Sequence, residues 1–165
     1  MMNPKKIKNV TVNASFNSEN EVAKKNMDVI IDFFSLYLGD TDKFYSLWVE
    51  DNPIVITPFT TDDVAVLHDA VQEGWEAVKG FFNPIFNDMK GTFEWTIDEF
   101  MVGENPDTIV TKTRSHIDIT ANGAWGENKK IKYNGIYVQI FKFENNKIKS
   151  FEEYYDTALL NKQYS

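Results

Sequence analysis

An α+β fold, with helices first and a curved antiparallel sheet wrapped around them, follows from three observations. Apolar positions at helical spacing occur only before residue 90. From Thr92 onward the pattern switches to alternation at period two, in runs separated by turn residues. The segment from Tyr133 to Leu160 closes the series with a long alternating run, a tight polar turn at Glu144-Asn145-Asn146-Lys147, and a second run rich in aromatics. Helices followed by a strand meander pack on one face of the sheet. A sheet that curls around a helix leaves a concave, half-filled interior, where pockets form.

The elements follow in order. Residues 1–17 are polar and aperiodic and read as a flexible N-terminal arm, with Val10 and Val12 able to add a short edge strand. A single domain spans 18–165. Ser18 and Glu21 have the spacing of a capping box at a helix start. Val22, Met27, Ile30, Phe33, Phe34, Tyr37 and Leu38 form the apolar stripe of that helix, and Gly39 ends it. Phe44, Leu47 and Trp48 suggest a short second helix. Ile54-Val55-Ile56 reads as a strand closed by Pro58, 59–66 as a loop, and 67–73 as a short strand. A third helix starts at Gly74, and Pro84 is expected to kink or interrupt it. Strands follow over 92–102, 108–120, 131–143 and 148–155, with a long glycine-containing hairpin loop at 121–129.

Composition narrows the functional classes. The length of 165 residues suits one domain, and 42% hydrophobic residues suffice for a core. The net charge of −8 argues against nucleic acid as a partner, because phosphate binding relies on Lys and Arg. No stretch approaches membrane-spanning length. The absence of cysteine excludes disulfides, thiolate metal sites and a Cys nucleophile, and fits a cytoplasmic location. His68 and His116 are the only histidines and lack metal-ligand spacing, so neither a metal nor a cofactor is expected. Aromatic residues reach 15%, enough to line a pocket as well as fill a core.

The last hairpin carries a resemblance. The stretches Tyr133-Asn134-Gly135-Ile136-Tyr137-Val138, Phe141-Lys142-Phe143-Glu144-Asn145-Asn146-Lys147-Ile148 and Glu153-Tyr154-Tyr155-Asp156-Thr157-Ala158-Leu159 resemble the SnoaL-like, ketosteroid-isomerase-related branch of the nuclear transport factor 2-like superfamily. The chain is also similar to the phenazine-biosynthesis A/B proteins and, more distantly, to limonene epoxide hydrolase. The resemblance covers about residues 20–160 and implies a cone-shaped α+β barrel. Members of this group include isomerases, cyclases, epoxide hydrolases, dehydratases and non-catalytic binding domains, so the fold does not transfer a reaction.

Alternation places Phe151, Glu153 and Tyr155 on one face of the last strand, and Glu152, Tyr154 and Asp156 on the other. The resemblance puts Glu153 in the cavity, matching the cavity Asp of limonene epoxide hydrolase. A carboxyl between aromatic neighbours loses solvation, which raises its pKa toward the range useful for general acid/base work. Where that hydrolase carries Arg-x-Asp, this chain reads Arg114-Ser115-His116, which pairs His116 with Glu153 as a proton-transfer couple and gives Arg114 an orienting or anion-binding role. The His of the phenazine-type proteins corresponds to Phe82 here. Trp48, Trp75, Phe82, Phe86, Trp95, Tyr137, Phe141 and Tyr155 are the expected wall of the pocket. Together these residues suggest a cofactor-free lyase or isomerase acting on a small apolar or aromatic molecule, with a non-catalytic ligand-binding or dimeric interaction domain as the alternative. The outward row Ile136, Val138, Ile140 suggests a homodimer.

Overall fold

The computed structural model describes residues 5–13, 19–61 and 64–164. Among them, nine strands form one sheet and three helices pack within its curve, with a fourth helix at the C-terminal end. The strands are β1 (Lys5–Ile7), β2 (Val10–Val12), β3 (Ile54–Thr61), β4 (Val64–Glu73), β5 (Met89–Val102), β6 (Thr108–Ala121), β7 (Lys129–Tyr133), β8 (Ile136–Glu144) and β9 (Lys147–Tyr155). The helices are α1 (Glu21–Ser35), α2 (Thr41–Ser46), α3 (Trp75–Asp88) and α4 (Thr157–Tyr164). The sheet order is β1-β2-β5-β6-β8-β9-β3-β4, with β7 paired to β6 beside β8. The architecture is the expected α+β cone, but the sheet is mixed rather than purely antiparallel. β2 runs parallel to β5, and β3 runs parallel to β9.

α1 is set by its start and by its buried stripe. Its cap is Asn20, whose side chain accepts from the backbone N–H groups of Val22 (2.9 Å) and Ala23 (3.2 Å). The expected capping residue, Ser18, lies outside the described residues. Asn20→Ala removes the acceptor for two otherwise unpaired donors and should cost about 1 kcal/mol, measurable by urea unfolding. Met27, Ile30, Phe33 and Phe34 of α1 are buried. The Phe33 ring packs against Phe44, Phe141 and Phe151 with centroids 4.9–5.3 Å apart. Asn26, also fully buried, donates to Pro106 O and Asp107 Oδ1 and accepts from Asn146. One polar side chain thus ties α1 to the β5–β6 and β8–β9 turns.

Several elements depart from expectation for identifiable reasons. The N-terminal segment read as a flexible arm is built into the sheet over residues 5–13, and the short strand expected of Val10 and Val12 forms there, both buried and paired with Trp95 and Ile97. Burial of two apolar residues offsets the cost of ordering the chain there. Pro58 does not close β3. The strand continues to Thr61 and pairs with β4 throughout, so the expected loop at 59–66 is largely hairpin. β9 contacts β3 only over Ile54–Ile56, so beyond that point one edge of β3 makes no ladder in which proline's missing N–H would count. Pro84 does not interrupt α3, which is continuous from Trp75 to Asp88. Proline withholds the i→i−4 bond from the carbonyl of Gly80.

The expected strand 131–143 is broken at Asn134-Gly135 into β7 and β8. Gly135 suits the break: a Cβ there would run into the Tyr133 ring. The Gly135 N–H donates to Ser115 Oγ, and its carbonyl accepts from Ser115 N. The break lets β6 pair with β7 over Ile117–Ala121 and with β8 over Thr108–Arg114.

Candidate active site

A cavity of about 520 Å³ opens on the concave side of the sheet, between the helices and the strands. α3 supplies Phe81 and Ile85 at one wall, and the turn after α1 supplies Tyr37. Phe93 and Trp95 of β5, Ile117 and Ile119 of β6, and Tyr137 of β8 form the opposite wall. Glu153 and Tyr155 of β9 complete it, with Trp125 from a short turn at Gly123–Trp125. The size falls within the range of small-molecule sites. The wall is mostly apolar, and Glu153 is the one carboxyl, and the one charged-type side chain, among the described lining residues.

Glu153 owes its position to the sheet order. β9 lies between β8 and β3, so Glu153 sits on an interior strand, and the period-two pleat turns it inward with Phe151. Its exposure is 8%. Gln139 stands opposite it on β8 and donates from Nε2 to Glu153 Oε2 at 3.1 Å. Burial, only partly offset by that hydrogen bond, pushes the Glu153 carboxyl up to about 7. The surrounding phenols are held neutral. Burial pushes Tyr37 and Tyr137 well above the usual phenol range, and the nearby Glu153 adds to the effect on both. The Tyr137 hydroxyl lies 3.0 Å from Ser115 Oγ. The Tyr137 ring packs edge-on against Trp95 at 4.9 Å and, tilted, against Tyr155 at 5.5 Å. Trp95 is 2% exposed, and its Nε1 has no hydrogen-bond partner among the described residues. A buried N–H without an acceptor is costly.

The expected partners of Glu153 lie elsewhere. Arg114 and His116 point to the convex face of β6, where both are exposed. Arg114 makes a bidentate ion pair with Asp98 (2.7 and 2.8 Å), which holds the Asp98 carboxyl below its ordinary range. His116 Nδ1 meets Asn134 Oδ1 at 2.8 Å. The reason is register. On β6 the row Thr111, Thr113, Ser115, Ile117, Ile119 is buried, so the alternate row of Arg114, His116 and Asp118 faces outward. The His116–Glu153 couple is therefore separated by the sheet itself. The buried row is more apolar only toward Ile117 and Ile119, a partial signal that leaves Thr111, Thr113 and Ser115 unmarked in the sequence.

The expected wall residues divide. Trp95, Tyr137 and Tyr155 line the cavity. Phe82 and Phe141 are fully buried in the core behind it, and Phe86 packs on Phe44 and Tyr37. Trp48 is also a core residue, packed on Phe33 and Phe82. Trp75 lies at a separate surface depression, where its Nε1 donates to Glu50 O and Lys79 stands over its ring. Lining residues not singled out from sequence include Tyr37, Phe81, Phe93 and Ile117. Tyr37 lies just past the end of α1, where the helical period no longer applies, and Phe81 stands in α3 beside the fully buried Phe82, so apolar character alone does not tell wall from core. Among the described residues no group of three His, Cys, Asp or Glu side chains clusters as a metal site. No helix among them is long and apolar enough to cross a membrane.

No family model matches the chain, and no curated protein matches it in sequence. Solved structures do match its fold. A phenazine biosynthesis-related protein from Pseudomonas aeruginosa superposes with a TM-score of 0.65 at 18% identity, over 89% of this chain and 84% of that one. A protein assigned as a SnoaL-like polyketide cyclase from Jannaschia sp. CCS1 gives 0.70 at 12% identity, over 90% and 97%. A nuclear transport factor 2-like protein of unknown function from Burkholderia pseudomallei gives 0.61 at 16% identity, over 86% and 98%. Identities this low carry the fold and not the activity, and on that basis the chain adopts the nuclear transport factor 2-like fold.

Proposed function

We propose that this protein is a cofactor-free lyase or isomerase that moves a proton on a small apolar molecule bearing a carbonyl group, with Glu153 as the general acid/base. The observation that carries this reading is a lone buried carboxyl, pushed up to about 7 by burial, in an otherwise apolar cavity of ligand size. A group poised near the working pH is present in both protonation states and can take and return a proton. In the base form Glu153 removes the proton α to the carbonyl, and the electron pair of the C–H bond moves into an enolate. The neutral phenols of Tyr37 and Tyr137 are wall donors for the enolate oxygen. The protonated Glu153 then returns the proton to another carbon, an isomerisation, or to a departing hydroxyl, a dehydration. His116 and Arg114 take no part.

Hydrogen exchange tests this directly. A panel of apolar enolisable ketones in D₂O should incorporate deuterium faster with the protein than without it, as followed by NMR. Ketones that bind, by quenching of tryptophan fluorescence, but neither exchange nor react would instead support the non-catalytic binding role.

The homodimer belongs to the same proposal. Ile136 and Val138 are 63% and 41% exposed on the convex face of β8, side by side in the outward row. Two such rows facing each other would cover apolar surface that a monomer leaves in water. Light scattering should then report twice the 19.1 kDa chain mass, and Ile136→Lys should return the monomer. A monomeric mass for the unaltered chain at tens of micromolar would reject the dimer.

A further inference from the structure

Glu153 is gripped by a side chain that is itself gripped from behind. Gln139 is fully buried on β8, between Glu153 of β9 on one side and Thr111 and Thr113 of β6 on the other. Both threonine hydroxyls donate to Gln139 Oε1, at 2.7 and 3.0 Å, and both threonines are fully buried. The two hydroxyls occupy the acceptor capacity of the amide oxygen, so the amide nitrogen is left facing the carboxyl. A flipped amide would set its oxygen against the carboxylate, an arrangement that only a protonated Glu153 would tolerate. Among the described residues, Glu153 Oε1 has no hydrogen-bond partner, whereas Oε2 is held.

We propose that Gln139, locked by Thr111 and Thr113, is the positioning residue for Glu153: it holds Oε2, presents Oε1 to the cavity, and favours the ionised form. This rests on Glu153 being the proton-transfer group. The hydroxyl-to-amide-to-carboxylate chain spans three adjacent strands, so the aim of the carboxyl is set by the sheet and not by a loop. The titratable groups facing Glu153 are phenols: Tyr37 after α1, Tyr133 on β7 and Tyr137 on β8, each of which the Glu153 charge pushes up, and Tyr155 on β9, which lines the same cavity. No Lys, Arg or His is among the described lining residues, so the Gln139 amide is the nearest donor that favours the charge.

Titration of Glu153 tests this without any ligand. Glutamate labelled with ¹³C at the carboxyl carbon lets its chemical shift be followed against pH by NMR, the resonance being assigned by its loss in Glu153→Gln. Gln139→Leu should raise the midpoint by about one pH unit, as expected when a hydrogen bond to the charged form is removed. The near-isosteric pair Thr111→Val with Thr113→Val should raise it in the same direction, because the released amide can turn its oxygen to the carboxyl. Thr111→Ser with Thr113→Ser keeps both hydroxyls and should restore the unaltered midpoint. The valine pair decides the matter if Gln139→Leu fails to fold. A midpoint unmoved by either change, or raised equally by the serine pair, overturns the proposal. The two readings fail separately: a moved midpoint with no deuterium exchange refutes the reaction and leaves the positioning role, and exchange with an unmoved midpoint does the reverse.

Discussion

Glu153→Gln should slow proton exchange on a bound ketone by about 10²–10⁴-fold, the usual contribution of a positioned general base. The change is nearly isosteric, and the new amide oxygen can still accept from Gln139 Nε2, so cavity shape and ligand affinity should stay close to those of the unaltered protein. What is lost is the site that takes the proton. In the unaltered protein the exchange rate should rise with pH through about 7 and level off above it, because the base form is the ionised one and burial delays ionisation to that range. The variant should show no such limb. Deuterium incorporation measured by NMR between pH 5 and 9 reads both effects. Undiminished exchange in the variant would remove Glu153 from the chemistry.

The same substitution should stabilise the protein at high pH. The Glu153 carboxyl is raised from an ordinary 4.5 to about 7 on folding, so below about 4.5 it is neutral in both states and has no effect on the balance. Between about 4.5 and 7 the unfolded chain releases this proton first and is favoured, and stability falls as pH rises. Above 7 the loss is complete. A gap of about 2.5 pH units corresponds to about 3 kcal/mol. Glu153→Gln carries no such proton, so it should match the unaltered protein near pH 4 and exceed it by up to about 3 kcal/mol at pH 8. Comparing urea unfolding of the two proteins at each pH isolates this carboxyl from the other acidic groups. Equal stability at pH 8 would show that Glu153 is solvated in the folded state. Together the two outcomes describe a carboxyl retained at a cost to stability, a pattern expected of functional groups.

Most of the fold was legible because burial imposes a period. α1 and the strands β5, β6, β8 and β9 were recognisable from helical or alternating apolar spacing, and the hairpin turn at Glu144–Lys147 from its residue types. The less legible parts were those where pairing, not pattern, decides. β4 and the second half of β3 form a hairpin whose neighbour on one side runs out after Ile56. The β1–β2 segment orders only because β5 offers it an edge. Pro84 reads as a breaker, yet it sits one turn after Gly80 in a continuous helix.

The site divides along the same line. Alternation within β9 is enough to put Glu153 on the same face as Phe151 and Tyr155 and to separate it from Glu152 and Asp156, since a strand has only two faces. No single strand states which residues of another strand share that face. The polar row Arg114, His116, Asp118 and the buried row Thr113, Ser115, Ile117 are both in phase with themselves, and only the curvature of the assembled sheet makes the second the inner one. Gln139 is plain in the sequence as a polar residue amid an alternating strand. Its place between two threonine hydroxyls and a carboxylate exists only once β6, β8 and β9 lie side by side, because hydrogen bonds across strands depend on register and not on proximity in the chain.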